Sequence, residues 1–233
     1  MNEQLDRRRF LAGAAGAGAA LTAGAYGKIL GANERINLGI IGSGFMGSGI
    51  AGTAVAQAEV DVRMKDADLG RVAQGILAAR AILDDRLQRR RITKFEYARL
   101  VALLSGGDTY AGFGRAELTI EAVFEDLAVK QQVLREVEQV LPPSGVFASN
   151  TSTIPITRIA EAARDPERVI GMHFFSPVAR MPLLEVIPGA RTAPQTVSTA
   201  VSFGGTLRFS LGPFNTAADI ATTLEALAAV TAG

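Results

Sequence analysis

A glycine pattern between an apolar run and a small-residue segment constrains this chain more than any other feature. Ile36, Leu38, Ile40 and Ile41 make a short apolar run, as a buried strand requires. Gly42-Ser43-Gly44-Phe45-Met46-Gly47 follows directly and fits G-x-G-x-x-G, and Ser48 to Gln57 continues as a small-residue helix. The first glycine of such a turn permits a tight bend, and the second lets the backbone approach a pyrophosphate. The third lets helix and strand pack closely, while the helix N-terminus faces the negative charge. Gly42, Gly44, Phe45, Met46 and Gly47 are therefore expected to hold the phosphates of a dinucleotide.

The next segments support that reading. Val60 to Met64 reads as a second strand, ending at Lys65-Asp66. Asp66 lies about twenty residues past the last glycine, where a carboxylate accepts hydrogen bonds from the adenosine ribose hydroxyls. It would repel a 2'-phosphate, so NAD is expected rather than NADP. Gly70 to Ser105 carries apolar positions Ile76, Ala79, Leu83, Leu87, Tyr97, Leu100 and Leu104. Two amphipathic helices are expected there, broken near Arg91-Ile92-Thr93. Leu118 to Val123 is another apolar strand, followed by Phe124-Glu125-Asp126 and a helix from Leu127 to Val140 that Pro142 and Pro143 end. Val146-Phe147-Ala148 is a short strand delivering Ser149-Asn150-Thr151-Ser152. Strands and helices alternating at these lengths predict an α/β, Rossmann-type doubly wound, mostly parallel sheet. Its ligand would cross the carboxyl ends of the strands, where Glu125, Asn150 and Ser152 fall.

Composition narrows the chemistry. The 233 residues suffice for one good core, or one core with a small appendage. At 48% hydrophobic and 20% charged, the profile is globular. A net charge of +1 gives no global field towards nucleic acid or anionic membrane. Arg89-Arg90-Arg91 reads as a solvated helix face rather than a phosphate patch. There is no cysteine, and His173 is the lone histidine. That removes thiolate chemistry and disulfides and leaves no ordinary zinc site, so no metal is expected.

Several motifs in unbroken order resemble the 3-hydroxyacyl-CoA dehydrogenase family. They are Gly44 to Ala51 (GFMGSGIA), Met64-Lys65-Asp66, Ile120 to Glu125 (IEAVFE) and Phe147 to Ser152 (FASNTS). Gly171 to Val178 (GMHFFSPV) and Met181 to Ile187 (MPLLEVI) complete the set. The resemblance is strongest to the dehydrogenase module of bacterial multifunctional fatty-acid oxidation alpha subunits and covers roughly residues 42 to 203. It implies NAD-dependent oxidation of L-3-hydroxyacyl-CoA to 3-ketoacyl-CoA in β-oxidation, with an acyl-CoA thioester as substrate. It also implies that His173 is the base, paired with Glu185, which fixes its tautomer and stabilises the imidazolium. The Ser152 hydroxyl then bonds the reacting oxygen, and Asn150 lies beside nicotinamide and substrate. Glu125 and Lys130 contact the nicotinamide ribose and neighbouring polar groups of the cofactor. The residues alone leave alternatives: His173 as a core residue, Ser152 capping a helix from near Ile154, and Glu125 serving the helix behind it. Ser176 stands where many relatives have asparagine.

The two ends resemble other families. Asp6-Arg7-Arg8-Arg9-Phe10-Leu11 before an Ala/Gly-rich stretch is similar to a twin-arginine export signal, too short and glycine-rich for a stable membrane span. Gly31 to Gly42 resembles the opening of exported Gfo/Idh/MocA oxidoreductases, without the Lys-Pro pair used by that family. Gly205 to Thr216 resembles the end of cysteine desulfurase-like class V aminotransferases, in which the arginine matching Arg208 grips a substrate carboxylate; without that family's PLP-binding lysine and large domain, no function is carried over. The expected organisation is a signal or arm over 1–34, an NAD-binding domain over 35–204, and a strand–helix tail over 205–233. That tail stands in place of the family's helical domain, so the oligomeric state is left open. In the tail, Thr216 and Asp219 pair as a capping box, with Ile220, Leu224 and Leu227 on one face. The cytoplasm is expected, with export the alternative if residues 1–34 act as a signal. The second functional reading is a non-catalytic NAD-binding module.

Overall fold

The computed structural model describes residues 37–181, 183–204 and 207–208. The expected arm over 1–34 and almost all of the tail beyond 204 lie outside the described residues. The strands are β1 (Leu38–Ile41), β2 (Val62–Lys65), β3 (Leu104–Gly107), β4 (Leu118–Glu121), β5 (Val146–Ser149), β6 (Val169–Phe174), β7 (Leu184–Pro188) and β8 (Leu207–Arg208). The helices are α1 (Phe45–Ala58), α2 (Leu69–Gln88), α3 (Lys94–Val101), α4 (Leu127–Val137), α5 (Ile156–Ala160) and α6 (Pro194–Gly204). One sheet holds all eight strands in the order β3-β2-β1-β4-β5-β6-β7-β8. The chain moves outward from β1 to β3, then restarts on β1's other side at β4. That reversal is the switch point at which doubly wound sheets bind ligands. The pairs from β3 to β6 are parallel, and β7 runs antiparallel to β6. The α/β, mostly parallel expectation therefore holds.

Side chains alternate between two cores. Leu38 and Ile40 of β1, Leu118 and Ile120 of β4, Val146 and Ala148 of β5, and Ile170 and Met172 of β6 join a core with α1, α2 and α6 residues. Ile41, Phe147 and Val169 point the other way, into a core with Val133, Leu134 and Val137 of α4 and Ile156 and Ile159 of α5. Residues of both sets are almost wholly buried, as strands covered on both faces must be.

Two stretches differ from the sequence reading. The α2–α3 break falls where expected, and Thr93 opens α3 with a capping box: its hydroxyl accepts from Glu96 N–H, and the Glu96 carboxylate accepts from Thr93 N–H. Helix α3 stops at Val101, however, and Leu104–Gly107 is strand rather than helix, paired in parallel with β2. Leu-Ser-Gly-Gly has no apolar alternation to announce a strand, and pairing with β2 supplies its order. The β6–β7 antiparallel pair was likewise not anticipated. Arg89, Arg90 and Arg91 are exposed, as a solvated turn requires. No helix among the described residues is long and apolar enough to cross a membrane.

Helices α1 and α2 pack so closely that a Cβ on Gly52 would lie 2.5 Å from the Ala79 carbonyl oxygen and 2.7 Å from Ile82 Cδ1. In an exposed helix Gly→Ala stabilises by about 1 kcal/mol. Here overpacking wins, and Gly52→Ala is expected to lower stability by about 1–2 kcal/mol. The urea midpoint should fall at unchanged slope. A raised midpoint would mean that the helices separate without cost.

Candidate active site

At the switch point β1 hands over to Gly42, whose φ of 90° lies in the left-handed region and whose N–H donates to the Lys65 carbonyl at 2.8 Å. A Cβ on Gly47 would fall 1.8 Å from the Gly42 carbonyl oxygen, so the first turn of α1 rests directly on the bend. Gly44 is different: a Cβ there would meet nothing within 4 Å. No protein neighbour requires glycine at Gly44, so the open space beside it fits a ligand approaching the backbone. Gly44 is also the N-cap of α1, and no side chain caps that end. Its first N–H groups are left for an anion. The Phe45 ring is exposed and Met46 is half-buried, packed against the core. Both can therefore serve the turn through their backbone.

Asp66, just beyond β2, closes this half. Its Oδ2 accepts from Ser43 N–H at 2.7 Å and lies 2.7 Å from the Ser43 hydroxyl, and its Oδ1 accepts from Ala67 N–H at 2.7 Å. The same hydroxyl also lies 2.9 Å from the Arg71 carbonyl, with one proton for the two acceptors. Burial pushes the Asp66 carboxyl upward. The Ser43 and Ala67 amides, the Ser43 hydroxyl and the Arg71 charge together outweigh it and lower the pKa. Turn, uncapped helix and carboxylate form the set of groups that a dinucleotide needs.

The other half hangs from β4 to β7. His173 and Glu185 are direct partners in the antiparallel ladder, and His173 Nδ1 lies 2.9 Å from Glu185 Oε2. A carboxylate only accepts, so Nδ1–H donates and the basic lone pair falls on Nε2. The ring is 22% exposed and tilts against Phe175 at 4.8 Å between centroids. Asn150 Oδ1 accepts from Phe174 N–H at 2.9 Å, tying the end of β5 to the histidine's strand. Ser152 is exposed on the loop that follows. Helix α5 starts only at Ile156, after Pro155, and Ile154 N–H is taken by Thr151 Oγ1, so Ser152 caps no helix.

Glu125 does not cap α4 either; Asp126 does, accepting from Val129 N–H at 3.0 Å. Glu125 Oε1 instead accepts from Thr151 Oγ1 at 2.6 Å, Ser152 N–H at 3.0 Å, and both N–H and Oγ1 of Thr153 at 3.1 Å. Its Oε2 lies 3.2 Å from Lys130 Nζ. Burial raises the Glu125 pKa, but the Thr151 hydroxyl, the Lys130 charge and hydrogen bond, and the Thr153 amide bring it down to about 2. The Lys130 side chain is only 1% exposed, and its ammonium also pairs with Glu121 Oε1 at 2.8 Å. The ammonium is thus enclosed between Glu121 and Glu125, with Glu125 the more exposed of its two partners. Sequence reasoning passed over Glu121 and Ser43. A charge inside the apolar run LTIEAV was the available signal for Glu121.

A doubly wound sheet with this turn and this carboxylate at the carboxyl ends of its strands is the architecture of an NAD-binding Rossmann domain. The chain belongs to the 3-hydroxyacyl-CoA dehydrogenase family: residues 37–208 match the model of the 3-hydroxyacyl-CoA dehydrogenase, NAD binding domain. It is 44% identical over 164 residues to the fatty acid oxidation complex subunit alpha of Shewanella baltica, a stretch that is 70% of this chain and 23% of that one. The (S)-3-hydroxybutyryl-CoA dehydrogenase of Ralstonia eutropha is similar in structure, with TM-score 0.70 and 30% identity, over 75% of this chain and 63% of that one. The 3-hydroxybutyryl-CoA dehydrogenase of Escherichia coli K12 matches with TM-score 0.69 and 33% identity, over 75% and 38%. The match thus spans about a quarter of the length of the curated relative.

The Glu125 geometry has a pH signature. A carboxyl held at about 2 against an ordinary 4.5 contributes stability that is fully present above about pH 4.5 and is lost as pH falls through about 2. Carboxyl-carbon NMR should therefore show Glu125 ionised down to about pH 2, after the exposed glutamates have protonated. A midpoint near 4.5 would mean that the loop of residues 151–153 is not gathered on it.

Proposed function

We propose that this chain is the dehydrogenase module of an NAD-dependent L-3-hydroxyacyl-CoA dehydrogenase, converting a 3-hydroxyacyl thioester to its 3-keto form in fatty-acid β-oxidation. The observation that carries this reading is the His173–Glu185 pair, 2.9 Å apart on the same sheet edge as the dinucleotide turn. His173 Nε2 takes the proton of the substrate's 3-hydroxyl, and Glu185 stabilises the imidazolium that results. The Ser152 hydroxyl donates to the reacting oxygen, and Asn150 flanks the substrate and nicotinamide. The backbone from Gly42 to Gly47 receives the pyrophosphate, Asp66 the adenosine ribose and Glu125 the nicotinamide ribose, with Lys130 acting behind Glu125. NAD, when bound, supplies the acceptor for the hydride that leaves the carbinol carbon. In the reverse direction His173 returns the proton and a 3-ketoacyl thioester is reduced. Acyl-CoA thioesters and free NAD are cytoplasmic, which supports the cytoplasm as the compartment for this chemistry.

The test uses the full chain: loss of NADH absorbance on adding acetoacetyl-CoA. Turnover is expected, and His173→Gln should lower it by about 10²–10⁴-fold, the usual share of a general base, while NADH still binds. Binding of NADH without turnover in the unaltered chain would leave a dinucleotide-binding module. Full activity in His173→Gln would make the imidazole a packing residue.

Asp66→Ala is expected to raise the NADH dissociation constant at least about tenfold, or about 1.4 kcal/mol, with the circular dichroism spectrum kept. Cofactor fluorescence reads the affinity, and an unchanged constant would remove Asp66 from the ribose site.

A further inference from the structure

We propose that Glu121 is a positioning residue: through Lys130 and Glu125 it fixes the loop that carries Ser152, without itself touching substrate or cofactor. The kinetic part rests on the dehydrogenase reading above, and the structural part stands apart from it.

Glu121 ends β4 and is fully buried. Its Oε1 accepts from Val123 N–H at 2.7 Å and Lys130 Nζ at 2.8 Å, and its Oε2 accepts from the Ser149 hydroxyl at 2.7 Å. The Lys130 ammonium reaches on to Glu125, whose carboxylate gathers Thr151, Ser152 and Thr153. The line of contacts runs from beneath the sheet edge to the backbone of the exposed loop.

Fold stability does not account for this arrangement. Taking two charges out of water costs several kcal/mol per ion, and an apolar pair of similar volume is often neutral or more stable. Lys130 also sits near the N-terminus of α4, the end of a helix dipole that disfavours a cation. What the ion pair does supply is a fixed anchor for Glu125. The loop then has two attachments: Asn150 to Phe174 N–H on the histidine's strand, and residues 151–153 to Glu125. A donor on a loop must be held to within a fraction of an ångström to contribute in the transition state, and a 1 Å misplacement can cost about a hundredfold. The buried carboxylate confers that precision on Ser152 from below.

Replacing both charges separates positioning from folding, because the double variant Glu121→Gln/Lys130→Met leaves no buried charge unpaired. The double variant is expected to fold with near wild-type melting. Its Glu125 titration midpoint should rise from about 2 towards 4.5, and the Ser152 and Thr153 amides should exchange at least about tenfold faster. The kcat for acetoacetyl-CoA should fall at least about tenfold, by more than KM rises. A folded double variant with wild-type exchange and wild-type kcat would overturn the proposal. Should the double variant not fold, Ser149→Ala removes a single donor from Glu121 and carries the same readouts. It is expected to speed exchange at residues 152 and 153 about threefold; unchanged exchange and kcat in it would also overturn the proposal. If the unaltered chain shows no turnover, the reaction fails as a reading, while titration and exchange still decide whether the Glu121–Lys130 pair positions the loop, and Ser149→Ala reads Glu121 alone.

Discussion

The parallel strands end level, and the site depends on that. Ile41 pairs with Lys65 on one side and with Glu121 on the other, Glu121 pairs with Ser149, and Ser149 pairs with Gly171. Just past that line leave the Gly42 bend, Asp66, the segment that leads to Glu125, and Asn150. A strand's side chains change face at every residue, so a slip of one position in β4 would move Glu121 away from Ser149 and turn Leu118 and Ile120 out of their core. The register is therefore held by apolar burial on both faces, and the polar residues at the ends are carried to one edge by the same pairing. Hydrophobic packing far below the edge sets where the chemistry sits.

The cofactor half was legible because its signals are local. A strand, a glycine bend and a helix occupy consecutive residues, and the glycine positions answer to contacts within that unit, such as Gly47 on the Gly42 carbonyl. The place of Asp66 just past β2 was reachable by counting. The stretches that escaped depend on partners distant in sequence. Leu104–Gly107 is a strand only because β2 offers it a ladder, and its own residues, two of them glycine, carry no period. The residues alone left open that Ser152 caps a helix and that Glu125 serves the helix behind it, yet Thr151, Asp126 and Pro155 take those places. The resemblance implied a cofactor contact for Lys130 and gave no sign of its burial. Its burial follows from Glu121 and Glu125, which no periodicity connects to it.

The two halves of the proposed catalytic edge solve the problem of precision differently. His173 and Glu185 face one another across an antiparallel ladder, where opposed Cβ atoms lie roughly 4.5–5.5 Å apart. At that separation an imidazole and a carboxylate meet without either reaching from a flexible segment, so the pair takes its accuracy from the sheet. Ser152 lies beyond the end of β5, on an exposed loop with no ladder of its own. A donor there needs bonds that water cannot readily replace, and hydrogen bonds to a charged acceptor are the stronger kind. Glu125 provides that acceptor at the surface, and an unsupported surface carboxylate would be mobile and screened. The buried Glu121–Lys130 pair behind it is the part that water does not reach, so the proposed rigidity of the loop rests on a pair of charges that is kept dry.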